Sequence, residues 1–483
     1  MPDTITAQPD HHPAATRARS AAGVTRRSVW PLLLTLLCGA VLFGSCAKSP
    51  PPTDIDITEV PYLIKSPPGL GPDAIWQHLP WQRSEAVLAF SGDVLMHGRV
   101  RQCAASHNRT DGWENSSNNE GFDFLFEHLG PVWRDADLTL VNLETPVAPA
   151  SGDPGRPFVF NVSPALLDAL SSSGVDLVTL ANNHAFDQGG DGLAETIAHL
   201  QAAGLRQVGA GVTSTAAQVV LIEEINDIRL GFLGFSQLLN ADLNVEDPLA
   251  PHINVLERQQ VLDAIAAARS QVDFLVLTVH WGVEYAAEVR ELEKSLAHEF
   301  LEAGADAIIG HHPHVIQPLE LYETADGRLC LVAYSLGNLI SNQSRKYIHG
   351  ITPAYYGATR DGLILKLRVG RVWYNDNVER TELRGVGFIP LFTENNYYAQ
   401  FADSTLPTTI QPVPNDLRIE QLVARIRSFD RAAAQNATKN SPALDTRELI
   451  RLKQELALYV DRKQGVVNLL GDEYYLPYRP PVP

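Results

Sequence analysis

The chain has 483 residues, 45% hydrophobic and 19% charged, which is the composition of a folded globular protein rather than a disordered one. Its formal net charge of −18 excludes nucleic acid as a partner, because phosphates must be neutralised by basic side chains. The same charge repels a polyanionic substrate unless a local cation, such as a bound metal ion, overrides it. None of the cysteines forms a CxxC pair, which argues against a cysteine zinc site, and Cys103 and Cys330 are left either to pair or to stay free.

The N-terminal segment has the features of an export signal. Arg26 and Arg27 precede an apolar run over residues 30–43, and small residues then lead to Cys46. A basic flank, a short apolar run and small residues before a cleavage point are typical of a secretory signal. The run is shorter than the ~20 residues that a transmembrane helix needs, although an uncleaved anchor helix is an alternative.

Cys46 follows the small residues directly and resembles the acylated cysteine of a bacterial lipobox, although Phe43 stands where an aliphatic residue is usual. We therefore expect residues 1–46 to be a secretory, lipoprotein-type signal and residues 47–84, which contain three consecutive prolines, to be a stiff tether. This interpretation predicts a protein that is exported from the cytoplasm and held at the membrane of the cell envelope by an N-terminal lipid anchor.

Strands and helices alternate from Glu85 onward, which predicts an α/β domain over residues 85–393. The predicted strands are 87–90, 138–141, 177–180, 273–279, 307–309 and 331–334, and the predicted helices are 163–172, 193–203, 255–267 and 288–303. The dipeptide Asn226-Asp227 predicts a hairpin turn between 219–225 and 228–235. The alternation stops near Glu394, and two charged helical patterns, 417–434 and 446–460, predict a helical C-terminal extension over residues 394–483.

Polar side chains follow each predicted strand at the point where it ends. These residues include Asp93, Glu144, Asn183, His184, Asp187, His280, His312 and His314. Because the carboxyl ends of parallel strands form the binding crevice of an α/β sheet, we expect these side chains to meet there.

The residue types at these strand ends suit a metal centre. Carboxylate, amide oxygen and imidazole are ligands for Mn, Fe or Zn, and two ions about 3.5–4 Å apart can clamp a phosphoryl group. Glu144 is the natural bridging carboxylate. Each motif alone has an ordinary alternative: Asp93 can cap a helix, and His280 can be a core histidine. The segment 311–314, with three histidines and a proline after a strand, is the hardest to explain by packing.

The motifs together resemble the CapA-like branch of the calcineurin-like metallophosphoesterases. The resemblance covers residues 86–342 and rests on the segments SGDVLM at 91–96, NLE at 142–144, ANNH at 181–184, VHWG at 279–282, HPH at 312–314 and YSLGNL at 334–339. It implies an αββα sandwich, with two sheets flanked by helices, that binds one or two divalent metal ions.

The resemblance also implies a role for each motif residue. It implies that Asp93 and His314 hold one metal, that Asn183, His280 and His312 hold the second, and that Glu144 bridges them. It further implies that His184, oriented by Asp187, is the acid that protonates the leaving oxygen.

Two departures from the family pattern concern the first two motifs. Val94 and Leu95 follow Asp93, where the classical enzymes have a histidine two residues after the aspartate, and His97 has the wrong spacing. Glu144 replaces the usual Gly-Asp pattern.

Three functions therefore stay open. The first is a metal-dependent hydrolase that acts on a phosphoester or on an anionic capsule polymer. The second is a non-catalytic component of a poly-γ-glutamate synthesis or export complex, in which metals serve structure. The third is a substrate-binding or carbohydrate-processing lipoprotein that only keeps the fold.

Overall fold

Two β-sheets lie face to face in the computed structural model, which describes residues 82–108, 119–241, 243–244, 247–373, 379–436 and 446–478. The strands are β1 (Gln82–Val94), β2 (Leu138–Leu143), β3 (Leu177–Thr179), β4 (Arg206–Val208), β5 (Ala210–Gly211), β6 (Leu221–Ile225), β7 (Ile228–Ser236), β8 (His252–Ile253), β9 (Phe274–His280), β10 (Ala307–His311), β11 (Leu319–Glu323), β12 (Leu329–Ala333), β13 (Asn338–Ile340), β14 (Asp361–Trp373), β15 (Glu379–Asn395) and β16 (Ile410–Pro414). The predicted signal over residues 1–46 and almost all of the predicted tether lie outside the described residues.

The helices are α1 (Gly98–Ser106), α2 (Asp123–Phe126), α3 (Gly130–Trp133), α4 (Ala165–Ser173), α5 (Gly189–Ala202), α6 (Ser214–Ala217), α7 (Arg258–Arg269), α8 (Glu291–Ala303), α9 (Tyr397–Ala402), α10 (Asn415–Asn436) and α11 (Thr446–Leu470). Short 3-10 helices occupy Ala354–Arg360 and Asp472–Tyr474. Within the described ranges, no helix combines the length and the apolar character that crossing a bilayer requires.

The first sheet has the strand order β16-β15-β14-β1-β2-β3-β4, and β13 also pairs with β1. Strands β1 to β4 are parallel, whereas β14, β15 and β16 add antiparallel neighbours. The second sheet has the order β11-β12-β10-β9-β7-β6, with β7, β9, β10 and β12 parallel. A mixed α/β fold was predicted, and the parallel strands that carry the motifs form the middle of both sheets.

The main core lies between the two sheets. Alternate residues of β1, such as Leu88 and Phe90, belong to one buried cluster with Phe232 of β7 and Val276 of β9. The intervening Ala89 belongs to a second cluster with helices α1 to α5. The outer face of the second sheet packs against α7 and α8 in a third cluster. Side chains that alternate between two apolar faces therefore produce four layers: helices, sheet, sheet, helices.

The predicted hairpin is confirmed: β6 and β7 pair antiparallel, and Asn226 and Asp227 have φ values of 50° and 65°. Both values are left-handed, as the two central residues of a type I′ turn require. Cys103 and Cys330 are buried and free, so the disulfide alternative is wrong.

The predicted domain boundary at residues 393/394 falls within β15, which ends at Asn395. Strand β16 then extends the first sheet by one more strand. The helical part therefore begins only at Asn415. Helices α10 and α11 pack against each other and against Tyr347 and Phe392 of the main body.

Candidate metal centre

Asp93 and Glu144 lie side by side at the carboxyl ends of the parallel strands β1 and β2. Both residues are fully buried. The backbone of β1 approaches Gly337 closely there, because Asp93 N donates a 3.1 Å hydrogen bond to Gly337 O and a Cβ on Gly92 would overlap that carbonyl. A glycine at position 92 thus allows β1 and the end of β13 to meet and sets the position of the Asp93 carboxylate.

The Asp93 carboxylate is surrounded by hydrogen-bonding groups. Its Oδ2 is 3.0 Å from His314 Nδ1, and its Oδ1 is 3.2 Å from His311 Nδ1 and accepts a 2.8 Å hydrogen bond from Asn142 Nδ2. Burial by itself raises the pKa of Asp93, but hydrogen bonds and charges from His311 and His314 outweigh it and hold this pKa well below its ordinary value. Asp93 is therefore an ionised carboxylate whose orientation is fixed by its neighbours.

Glu144 differs from Asp93 both in its hydrogen bonding and in the direction of its pKa shift. Its Oε1 is buried and has no hydrogen-bond partner among the described residues; it lies 3.8 Å from His280 Nε2 and 3.9 Å from His314 Nε2. Burial, followed by the negative charges of Asp93, Glu284 and Asp187, raises the pKa of Glu144 well above its ordinary value. A buried carboxylate oxygen without a partner is costly, and a cation placed between it and the imidazoles removes that cost.

The second group of predicted ligands comes from β9 and from the turns after β3 and β10. His280 Nε2 lies 3.0 Å from Asn183 Oδ1, and the rings of His280 and His312 are 4.8 Å apart between centroids. Burial lowers the pKa of both histidines, to about 4 for His312, and so favours the neutral imidazole that binds metals. His312 Nδ1 is a further buried atom without a partner in the described chain.

The turn after β10 is held in an uncommon backbone conformation. His312 has a φ of 98° and His314 a φ of 58°, in the left-handed region that residues with a side chain rarely adopt. Such conformations cost about 1–3 kcal/mol each and cluster at functional sites. The turn places both imidazoles at the centre, with the ring of His314 6.1 Å from that of His312.

His184 lies next to this group and is held by Asp187. The distance from His184 Nδ1 to Asp187 Oδ2 is 2.8 Å, and the same carboxylate oxygen accepts a 2.6 Å hydrogen bond from Phe160 N. The Phe160 ring lies 4.5 Å from the His184 ring and 5.1 Å from the His97 ring. Since Nδ1 donates to the carboxylate, Nε2 is the nitrogen that can exchange a proton with a ligand.

Asp93, Glu144 and His280 together form a possible metal site. One ligand atom from each can be chosen so that all three lie within 4.8 Å of one another. Carboxylates and imidazoles are the donors that Mn, Fe and Zn accept, and the partnerless Glu144 Oε1 and His312 Nδ1 are free to bind. The donor set therefore fits a divalent cation.

A family model described as "Bacterial capsule synthesis protein PGA_cap" matches residues 87–343, which is more than half of the chain and includes every predicted ligand. The chain belongs to the PGA_cap family of bacterial capsule synthesis proteins. The capsule biosynthesis protein CapA of Bacillus anthracis is 28% identical over 270 residues, which are 54% of this chain and 61% of that protein. The PGA biosynthesis protein CapA of Bacillus subtilis is 27% identical over 258 residues, 53% of this chain and 63% of that one. The matches thus span about six tenths of these relatives.

Solved structures show similarity of fold to the PGA_cap chain. A putative 5'-nucleotidase from Staphylococcus aureus aligns with a TM-score of 0.36 and 14% identity, over 68% of this chain and 54% of that one. The NAD nucleotidase of Haemophilus influenzae aligns with a TM-score of 0.37 and 11% identity, over 64% and 58%. At TM-scores below 0.5, neither alignment carries an inference about this chain.

The structure of this PGA_cap protein brings the predicted ligands together from both sheets, and the predicted pair His184–Asp187 adjoins them. Sequence reasoning did not assign a role to three residues in contact with them. Asn142 donates to both Asp93 and Glu144, and His311 Nδ1 lies 3.2 Å from Asp93 Oδ1. Asn240 Nδ2 lies 3.4 Å from His184 Nε2, and Asn240 Oδ1 accepts from Asn183 Nδ2 at 3.2 Å. Asn142 lies within a quoted motif and His311 directly precedes another, whereas nothing in the sequence around Asn240 marks it.

Proposed function

We propose that this protein is a metal-dependent hydrolase of capsule metabolism that acts on an anionic polymer of the poly-γ-glutamate type. The observation that carries the proposal is the buried Glu144 Oε1, which has no hydrogen-bond partner in the described chain and faces the Nε2 atoms of His280 and His314. Family membership supports the capsule part of the proposal, as do relatives named for capsule and PGA biosynthesis.

The residues divide into those that would hold the metal and those that would move a proton. Asp93, Glu144, Asn183, His280, His312 and His314 would hold one or two ions. A bound divalent ion would polarise the scissile group and neutralise charge on an anionic substrate. His184 would give a proton from Nε2 to the leaving atom, while Asp187 keeps its ring oriented through the 2.8 Å contact with Nδ1.

We also propose that the protein is exported, held at the membrane through a lipid on Cys46, and associated with a poly-γ-glutamate synthesis complex. Support comes from the sequence pattern of residues 1–46 and from the relatives' names. A Cys46→Ser variant should then appear in the soluble extracytoplasmic fraction. Equal membrane retention of the variant and the parent would contradict the anchor.

The decisive experiment combines metal analysis with hydrolysis. The full-length protein, purified in detergent, is analysed for bound metals and assayed on poly-γ-glutamate and on a generic phosphodiester. His280→Ala and His312→Ala should lose metal and turnover together, whereas His298→Ala on α8, whose imidazole bonds Glu320 outside the site, should keep both. Hydrolysis that survives both site substitutions would exclude the metal mechanism, and cleavage of the phosphodiester alone would replace the polymer as substrate.

One observation favours the non-catalytic alternative. The classical enzymes that the motifs resemble have a histidine two residues after the first aspartate. In this chain that position is Leu95, which is apolar and 1% exposed and supplies no ligand. A protein that binds metal and polymer but hydrolyses neither substrate would be a structural component of a synthesis or export complex.

A further inference from the structure

Two arginines share one aromatic ring beside the metal centre. The guanidinium carbon of Arg99, near the start of α1, lies 5.3 Å from the centroid of the Tyr397 ring, and that of Arg345 lies 5.6 Å from the same centroid. Tyr397 begins helix α9, and Gln400 of the same helix accepts a 2.5 Å hydrogen bond from Arg99 Nη2. Cation–π contacts of this kind hold guanidinium groups in place without neutralising their charge.

These two cations differ from the arginines that form ion pairs in the described part of the chain. Arg229, Arg328 and Arg462, for example, each form an ion pair with an aspartate. Neither Arg99 nor Arg345 has a carboxylate partner among the described residues, and Arg345 is exposed. In a chain with a net charge of −18, two uncompensated cations on one ring are a local attraction for an anion.

The arginine pair is connected to the metal centre through His97 and the loop after β13. Asn342 N donates to His97 Nδ1 at 3.4 Å, in the same loop that carries Arg345. The His97 ring also lies 5.1 Å from the Phe160 ring, which in turn lies 4.5 Å from the His184 ring, so His97 links the loop to the residues beside the metal centre.

The loop that carries Arg345 also contacts a residue next to His314. Gln343 Nε2 donates to the hydroxyl of Tyr285 at 3.4 Å, and the Tyr285 ring lies 5.9 Å from that of His314. Ser344 has a φ of 52°, and its hydroxyl is hydrogen-bonded to that of Thr359 at 2.7 Å. The loop is thus fixed along the rim of the site.

We propose that Arg99 and Arg345 form an anion subsite that holds a carboxylate of the polymer while a neighbouring part of the chain lies at the metal centre. The substrate class is a flexible chain with carboxylates at regular intervals, because a single small phosphoester held by the metals would leave the arginine pair without a partner. This inference rests on the proposed function for the choice of polymer. Guanidinium groups bind carboxylates through charge-assisted hydrogen bonds, and the Tyr397 ring keeps both groups oriented.

Binding of fluorescently labelled poly-γ-glutamate to the full-length protein tests the subsite. Arg345→Gln and Arg99→Gln should each weaken binding about tenfold, the usual effect of losing one charge-assisted hydrogen bond. Lys346→Gln is the matched control, because it removes the same charge from the next, exposed position and should change the affinity less than about twofold. Metal content should stay at the parent level in all three variants. Arginine variants that bind as tightly as the Lys346 variant would overturn the proposal.

Two further measurements separate this subsite from the hydrolase. If the parent protein hydrolyses nothing but its binding still depends on Arg345, the subsite stands and the proposed catalytic function fails. If hydrolysis is metal-dependent but both arginine variants have the parental affinity for the polymer and the parental KM, the proposed hydrolase is supported and the subsite is contradicted. Inorganic polyphosphate serves as a second probe: dependence on the arginines for polyphosphate alone would contradict a carboxylate subsite.

Discussion

Oε1 of Glu144 lies 3.8 Å from Nε2 of His280, a distance too long for a hydrogen bond and suited to two ligands of one ion. Two donors that each lie about 2.0–2.2 Å from a metal are separated by roughly 3–4 Å. Both residues are buried, so neither can be satisfied by bulk water. Glu144 and His280 are therefore spaced as two ligands of one metal ion would be. Without an ion, the unpaired carboxylate oxygen of Glu144 lowers the stability of the fold.

Removal of metal is expected to destabilise the protein through Glu144. An ion that binds only the folded state adds about 2.7 kcal/mol at a hundred times its dissociation constant, and a chelator removes this stabilisation. Chelation should thus lower the Tm of the parent, while the Tm of Glu144→Gln should hardly respond. Calorimetry with and without chelator makes the comparison, and an equal response of both proteins would show that Glu144 is not a ligand.

The metal-free protein should also respond to pH through Glu144. Its folded-state pKa is raised above the unfolded value, so its contribution to stability is present at low pH and is lost as the pH rises. Glu144→Gln should therefore be more stable than the parent at pH 8 when both are metal-free. Urea unfolding in chelator measures this difference; a variant that is less stable than the parent at pH 8 would mean that the carboxylate is compensated in the metal-free fold.

The contribution of His97 to stability depends on pH in the opposite direction to that of Glu144. Burial lowers the folded-state pKa of His97 to about 4, below the unfolded value of 6.5, so its contribution is present above pH 6.5 and is lost as the pH falls towards 4. Between pH 6.5 and 4.5, in the presence of chelator, the unfolding free energy of the parent should fall by about 2 kcal/mol more than that of His97→Asn. His298→Asn, with its imidazole partly exposed on α8, is the control and should follow the parent.

Substitution of His184 or Asp187 is expected to reduce turnover without reducing the metal content. His184→Gln should lower the hydrolysis rate by about 10²–10⁴, the usual contribution of a general acid. Asp187→Asn should cause a smaller loss and alter the pH profile, because the imidazole loses the partner that orients it. Elemental analysis of the same samples should show parental metal content, and a parallel loss of metal would assign His184 to the ligands instead.

Much of this arrangement could be predicted because its signals are local. Each predicted ligand follows an apolar strand of the predicted fold, and parallel strands bring their carboxyl ends to one edge. Asp93 and His280 were therefore predicted to meet without knowledge of the strand order. The hairpin at Asn226-Asp227 was predictable for a similar reason, since two adjacent residues determine the turn.

Other contacts depend on tertiary structure. Asn240 reaches His184 from the loop after β7, and Tyr397 reaches Arg99 from helix α9, across almost 300 positions of sequence. Neither neighbourhood carries a motif, because a lone amide or aromatic side chain serves packing and solvent contact equally well. Strand β16 was missed because the sequence after Glu394 no longer alternates, although β15 provides an edge with which it pairs.

The close approach of β1 to Gly337 yields a stability prediction with an internal control. A methyl group on Gly92 would overlap the Gly337 carbonyl oxygen, so Gly92→Ala must push β1 away from the end of β13 and displace Asp93. We expect a loss of about 1–3 kcal/mol in unfolding free energy together with weaker metal binding. Gly465→Ala, inside α11, meets nothing within 4 Å and should add about 0.5–1 kcal/mol, because alanine has the higher helix propensity. Urea titrations of both variants measure the two effects, and parental stability and metal affinity in Gly92→Ala would show that this backbone contact does not hold Asp93 in place.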